Sequence, residues 1–117
     1  MPAQLLGDWF LPSATVTAVT KDSSCTLLKL TLTATTYRLT HTDKPACGTS
    51  SIGDVVVNNT EIDFFNADAC GLKLPDGVGR YTWTLTSDVL AFTPVNQDPC
   101  PRGAAWLANR SYSRTQG

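Results

Sequence analysis

Residues 77–102 read GVGRYTWTLTSDVLAFTPVNQDPCPR, and this stretch decides the fold class. Tyr81, Trp83 and Leu85 alternate with Arg80, Thr82 and Thr84, so one face is large and apolar and the other polar. That is the two-residue period of a half-buried strand. Ser87-Asp88 makes a tight turn, and Val89 to Thr93 returns as the second arm of a hairpin. Asn96 to Gly103 follows as a loop that carries Cys100 and Arg102, where Pro94, Pro99 and Pro101 rule out a central strand.

Outward from this hairpin the chain repeats the same grammar. Thr15 to Thr20 alternates valine or alanine with threonine and reads as a first strand. Leu28, Leu30 and Leu32 mark a second, and Tyr37, Leu39 and His41 a third. Val55 to Val57 is a short fourth and Ile62 to Phe65 a fifth. The hairpin supplies the sixth and seventh, and Ala105 to Tyr112 the last. Ala34–Thr36, Asn58-Asn59 and Ser87-Asp88 are turns, while residues 43–51, 66–76 and 96–103 are longer loops. The sequence predicts an all-β domain, an eight-stranded antiparallel up-and-down β-barrel over residues 1–117. Closure removes the exposed edges that an open sheet would leave. A two-sheet sandwich is the rival arrangement.

Composition excludes several classes. At 117 residues the chain makes one domain with one modest core. It is 42% hydrophobic and 16% charged, too apolar for disorder and too lightly charged for a solvated helical bundle. No amphipathic helix longer than a turn or two stands out. The net charge is −1 without a basic run, which argues against nucleic acid as a partner. No apolar segment approaches the roughly 20 residues of a spanning helix, so no membrane insertion is expected.

Cys25, Cys47, Cys70 and Cys100 are too widely spaced for the paired ligands of a structural zinc site, and no metal or cofactor is called for. In a small, loop-rich chain an even number of cysteines favours disulfides and a secreted or periplasmic protein. The N-terminus MPAQ shows no signal core: either the protein is cytosolic or a leader is removed ahead of it, and the cysteines favour the second. In an up-and-down barrel the first, third, fifth and seventh connections share one end. All four cysteines fall on those connections and gather at one rim. Strand adjacency suggests Cys25 with Cys47 and Cys70 with Cys100, among three possible connectivities.

Gly7-Asp8-Trp9 resembles the G-x-W signature of the lipocalin-like, or calycin, superfamily. The resemblance implies a cup-shaped barrel whose bottom is closed by Trp9 packed against a basic residue of the last strand. Arg110 is the preferred candidate and Arg114 the second. Cys25 and Cys47 are similarly placed to a bridge in the small barrel inhibitors of bacterial metalloproteases, whose N-terminal arm enters the protease cleft. That likeness would make Met1 to Leu6 the arm and a secreted protease the partner. The segment with Tyr81, Trp83, Asp98, Cys100 and Arg102 also resembles uncharacterised secreted bacterial lipocalin-like domains.

The expected function is to hold a small apolar or aromatic molecule in the barrel. Tyr37, His41, Phe64, Tyr81, Trp83, Phe92 and Trp106 are the candidate ligand-binding residues; the same aromatics could instead fill the core. Gly7, Trp9, Arg110 and the four cysteines are the candidate structural residues. His41 lies in phase with Tyr37 and Leu39, yet no nucleophile motif accompanies it, so no catalytic residue is assigned. A small barrel cyclase or isomerase using His41, Tyr37 or Tyr81 as acid or base is the enzymatic alternative. Arg102 either greets an anion at the mouth or, with Asp98, orders the loop around Cys100.

Overall fold

A computed structural model describes residues 1–41, 47–48, 50–68, 70–71, 76–100 and 102–115. Parts of the three longer loops, including Pro101, lie outside the described residues. The strands are β1 (Gly7–Phe10), β2 (Lys29–Leu32), β3 (Thr36–Thr40), β4 (Ser51–Asn58), β5 (Glu61–Phe65), β6 (Gly79–Thr86), β7 (Val89–Pro94) and β8 (Ser111–Ser113). Each pairs antiparallel with its neighbour in sequence, and β8 returns to β1, so the sheet closes as an up-and-down barrel.

The local chemistry explains the registers. Thr86 pairs with Val89 across Ser87 and Asp88, whose φ angles of 48° and 63° give the turn that matches strand twist. Asn59, at φ 57°, does the same between β4 and β5. At the β2–β3 turn, Thr33 Oγ1 accepts from the Thr36 amide at 2.9 Å. These three turns form one end of the barrel, the turn end. The connections that carry the cysteines form the other, the loop end.

The alternation read in the sequence places Leu30, Leu32, Tyr37, Leu39, Ile62, Phe64, Tyr81, Leu90 and Phe92 in the interior, all buried. Phe64 stands at the centre. Its ring meets Tyr37 edge-on at 5.1 Å and both Tyr81 and Phe92 at 5.8 Å, while Phe92 meets Tyr112 at 5.9 Å. An eight-stranded barrel is just wide enough for its own side chains, and here the aromatics fill the middle.

Two expected strands are corrected. Thr15–Thr20 is not the first strand: Ser13–Thr20 forms helix α1, and the first strand is Gly7–Phe10. Trp9 is already paired with Leu30, so the chain beyond Leu11 leaves the wall. Pro12 then starts the helix, accepting at its carbonyl from the Thr15 and Val16 amides. Thr20 Oγ1 bonds back to the Val16 carbonyl at 2.9 Å, which lets a β-branched residue sit in a helix. Lys21 ends it in the left-handed region at φ 57°, ψ 34°. Val16 is the one fully buried residue of α1, and Thr17 Oγ1 ties the helix to the Cys25 carbonyl at 3.0 Å.

The last strand is likewise shorter than Ala105–Tyr112. Gly103–Leu107 is a single wide helical turn, and β8 spans only Ser111–Ser113. The turn is held from two sides. Arg110 Nε donates to the Ala105 carbonyl at 3.0 Å, and Tyr112 Oη to the Trp106 carbonyl at 2.6 Å. Arg110 is therefore committed to the loop end and does not meet Trp9.

Arg114 closes the turn end instead. Its Cζ lies 3.6 Å from the centre of the Trp9 ring, and its nitrogens donate to the carbonyls of Gln4, Leu6 and Asp8. Strand β8 touches β1 through one register pair, Phe10 with Ser113, so this guanidinium takes over where ladder hydrogen bonds run out. Gly7, at φ 105°, leaves it room. The N-terminal segment plugs the floor: Leu5 is fully buried, and its carbonyl accepts from Trp9 Nε1 at 2.9 Å.

Candidate functional site

The loop end is built around two disulfides. Cys25–Cys47 ties the α1–β2 connection to the β3–β4 connection, and Cys70–Cys100 ties β5–β6 to β7–β8. They close loops of 22 and 30 residues, each worth about 3 kcal/mol by loop entropy. Two such bridges in so small a domain fit an oxidising, extracellular-type compartment.

Cys100 delivers its neighbours into the barrel mouth. The Asp98 and Arg102 side chains are only 3% and 2% exposed, and Arg102 Nε lies 3.2 Å from Asp98 Oδ2. Nη1 of Arg102 donates to Tyr37 Oη at 3.2 Å. Its Nη2 donates to the carbonyls of Phe64 at 2.6 Å and Gly77 at 3.1 Å. The carboxylate of Asp98 accepts from Tyr81 Oη at 2.6 Å and from the Cys100 amide at 3.0 Å. Tyr37 Oη also lies 3.3 Å from Ser51 Oγ. A polar girder thus runs Ser51–Tyr37–Arg102–Asp98–Tyr81 across the barrel, on top of the aromatic layer. A Cβ on either Gly79 or Gly103 would collide with Asp98, so both glycines are required by this close approach. Burial first, and the bond to Asp98 second, push the Tyr81 phenol well above its ordinary range.

Above the girder lies a cavity of about 390 Å³. Leu39, Ala67, Ala105 and Trp106 give it apolar walls, the Cys70–Cys100 bridge forms one side, and Arg102 and Ser51 lie at its base. His41 and Trp106 both line it and pack against each other edge-to-face, with ring centres 4.9 Å apart. A larger recess on the outer wall, lined by Asp76, Val78, Arg80, Asn96 and Gln97, is an open groove. The Asn96 side chain there is taken up by the Arg80 amide and the Val78 carbonyl. Among the described residues, no group of three or more His, Cys, Asp or Glu is placed to hold a metal.

The seven candidate ligand-binding residues separate into three places. His41 and Trp106 line the cavity. Tyr37, Phe64, Tyr81 and Phe92 form the packed layer beneath the girder. Trp83 points inward near the turn end, half-buried, with Nε1 donating to the Asn59 carbonyl at 3.0 Å. Asp98 and Arg102 take the loop-ordering role, and Arg102 in addition lines the cavity, with Asp98 paired to it outside the lining. Their spacing of four was visible in the sequence. The Tyr37 contact, 65 residues away, has no local signal. Small residues at Ala67 and Ala105 make the space, and nothing in their neighbours distinguishes them from ordinary loop alanines. No protein-family model, characterised protein or solved structure compared with this chain matches it.

Proposed function

We propose that this protein is an exported, lipocalin-like binding module that holds a small apolar or aromatic molecule at its loop end. The observation that carries the reading is the cavity of about 390 Å³ lined by Trp106, His41 and the Cys70–Cys100 bridge. Its size, apolar walls and few polar groups are those of a small-molecule site. The deeper barrel offers less, because its own rings occupy it.

The cavity is favoured over inhibition of a protease through an N-terminal arm. Met1 to Leu6 is anchored under the barrel through Leu5, which is buried, and through the Gln4 and Leu6 carbonyls bound to Arg114. It is favoured over acid–base catalysis as well. The Tyr37 and Tyr81 hydroxyls are engaged by Arg102 and Asp98.

Displacement of an environment-sensitive aromatic probe such as aminonaphthalene tests the proposal. Probe binding should be saturable and should quench Trp106. Trp106→Ala should weaken it about tenfold, and Ala67→Phe, which fills the space, should abolish it. Binding that ignores both substitutions in folded variants would refute the site.

A further inference from the structure

We infer that the Asp98–Arg102 pair sets the ligand class: the cavity admits compact, uncharged aromatic molecules and turns away long-chain carboxylates. This rests on the cavity being a ligand site, and it goes further by assigning a selectivity to its base.

Charge is the first part of the argument. Among the described residues that line the cavity, only His41 and Arg102 carry ionisable groups. An arginine at the base of a barrel cup is a natural receptor for a carboxylate. This one is already committed. Of its five N–H donors, three are hydrogen-bonded within the protein, one to Tyr37 Oη and two to carbonyls, while Nε contributes an ion-pair contact to Asp98 without a hydrogen bond. Its charge is balanced at 3.2 Å by a carboxylate as buried as itself. An incoming carboxylate would shed its water, meet a cation already paired, and lie close to the Asp98 charge.

Depth is the second part. Immediately below the guanidinium are the Tyr37 ring, 5.7 Å from Cζ, and the Phe64 ring packed against it at 5.1 Å. Tyr37, Phe64, Tyr81 and Phe92 are each at most 1% exposed and none of them lines the cavity. A long chain therefore meets a floor where an empty barrel would let it descend. A flat ring system needs no such depth and can stack against Trp106 and His41.

The two parts are separable with four ligands: naphthol, naphthoate, dodecanol and dodecanoate, each competed against aminonaphthalene and checked by native mass spectrometry. Naphthol should bind most tightly, with each of the others weaker by about tenfold or more. Dodecanoate binding as tightly as naphthol would overturn the inference while leaving the cavity as a ligand site. Failure of every probe to bind would overturn the ligand site itself. Asp98→Asn unbalances Arg102, so the affinity ratio of naphthoate to naphthol should rise about tenfold; an unchanged ratio in the folded variant would overturn the charge argument. Phe64→Ala opens space under the guanidinium and should raise dodecanol affinity relative to naphthol. If that variant does not fold, Phe64→Val gives the same readout, and an unchanged ratio overturns the depth argument.

Discussion

The two ends of the barrel are each closed around an arginine, and they are closed in different ways. At the turn end Arg114 lies over Trp9 and gathers the carbonyls of Gln4, Leu6 and Asp8, so the chain itself forms the plug. No carboxylate takes part in those contacts, and the guanidinium keeps one side toward water. At the loop end Arg102 is buried and needs Asp98 to balance it. The difference teaches what each closure leaves behind. A plug of chain brings its own apolar side chains, such as Leu5, and fills the space. A charge network must satisfy fixed directions, and its hydrogen bonds hold the base flat while the walls stand apart. The cavity belongs to the end that is closed by charge.

Breaking the buried pair should have the largest effect. Arg102→Met strands Asp98 without its cation and leaves Tyr37 Oη and two carbonyls short of a donor, a loss of about 3–5 kcal/mol. Urea denaturation measures it. The double change Asp98→Asn with Arg102→Met should recover part of that loss, because no lone charge stays buried. A single change costing under about 1 kcal/mol would show that the girder carries little of the fold. Next comes the cavity wall. Replacing Cys70 and Cys100 by serine should cost about 3 kcal/mol and also weaken probe binding. Replacing Cys25 and Cys47 should cost a similar amount with a smaller effect on the probe. Arg114→Met, at the other end, removes a stacked cation and three donors that water partly replaces. About 2 kcal/mol is expected, with probe binding retained.

How much of this was legible follows from where local pattern decides. Residues such as Leu30, Leu39, Ile62 and Tyr81 alternate with polar neighbours, and a slip of one position would turn every one of them to solvent. Their strands and the cysteine-bearing rim could therefore be read directly. Thr15–Thr20 shows the same β-branched alternation, yet it is a helix. Its neighbour Trp9 had already taken the pairing site on β2, and Pro12 fixed the entry to a helical turn. Tertiary competition decided there, and propensity did not. Ala105–Leu107 departs from its strand pattern for a related reason: Tyr112 and Arg110 reach back and bind the carbonyls of that turn, a choice made by later residues. The choice between Arg110 and Arg114 over Trp9 depended on where β8 begins, which the sequence does not mark. The site was the least legible part, since the network beneath it joins Tyr37, Asp98 and Arg102 across the whole chain.

Alkaline titration gives a finer comparison, now within the loop end. Burial pushes the Tyr112 phenol far above its ordinary 10.0, while Tyr81 is raised first by burial and then by Asp98. A phenol that holds its proton more tightly when folded stabilises the native state as long as it stays protonated. That contribution is complete below pH 10 and is lost as pH rises above it, because the unfolded chain releases the proton first. For Tyr112, fully enclosed beside Phe92, the loss should be about 1.4 kcal/mol for each pH unit above 10. Tyr81 is equally buried and its Oη donates to Asp98, so its contribution should have the same sign and a similar size. Stability measured by urea between pH 8 and 11 should be level and then fall. Tyr112→Phe and Tyr81→Phe should each flatten the fall by a similar amount. A fall left unchanged by either substitution in a folded variant would show that the phenol removed is not held in its protonated form by its burial.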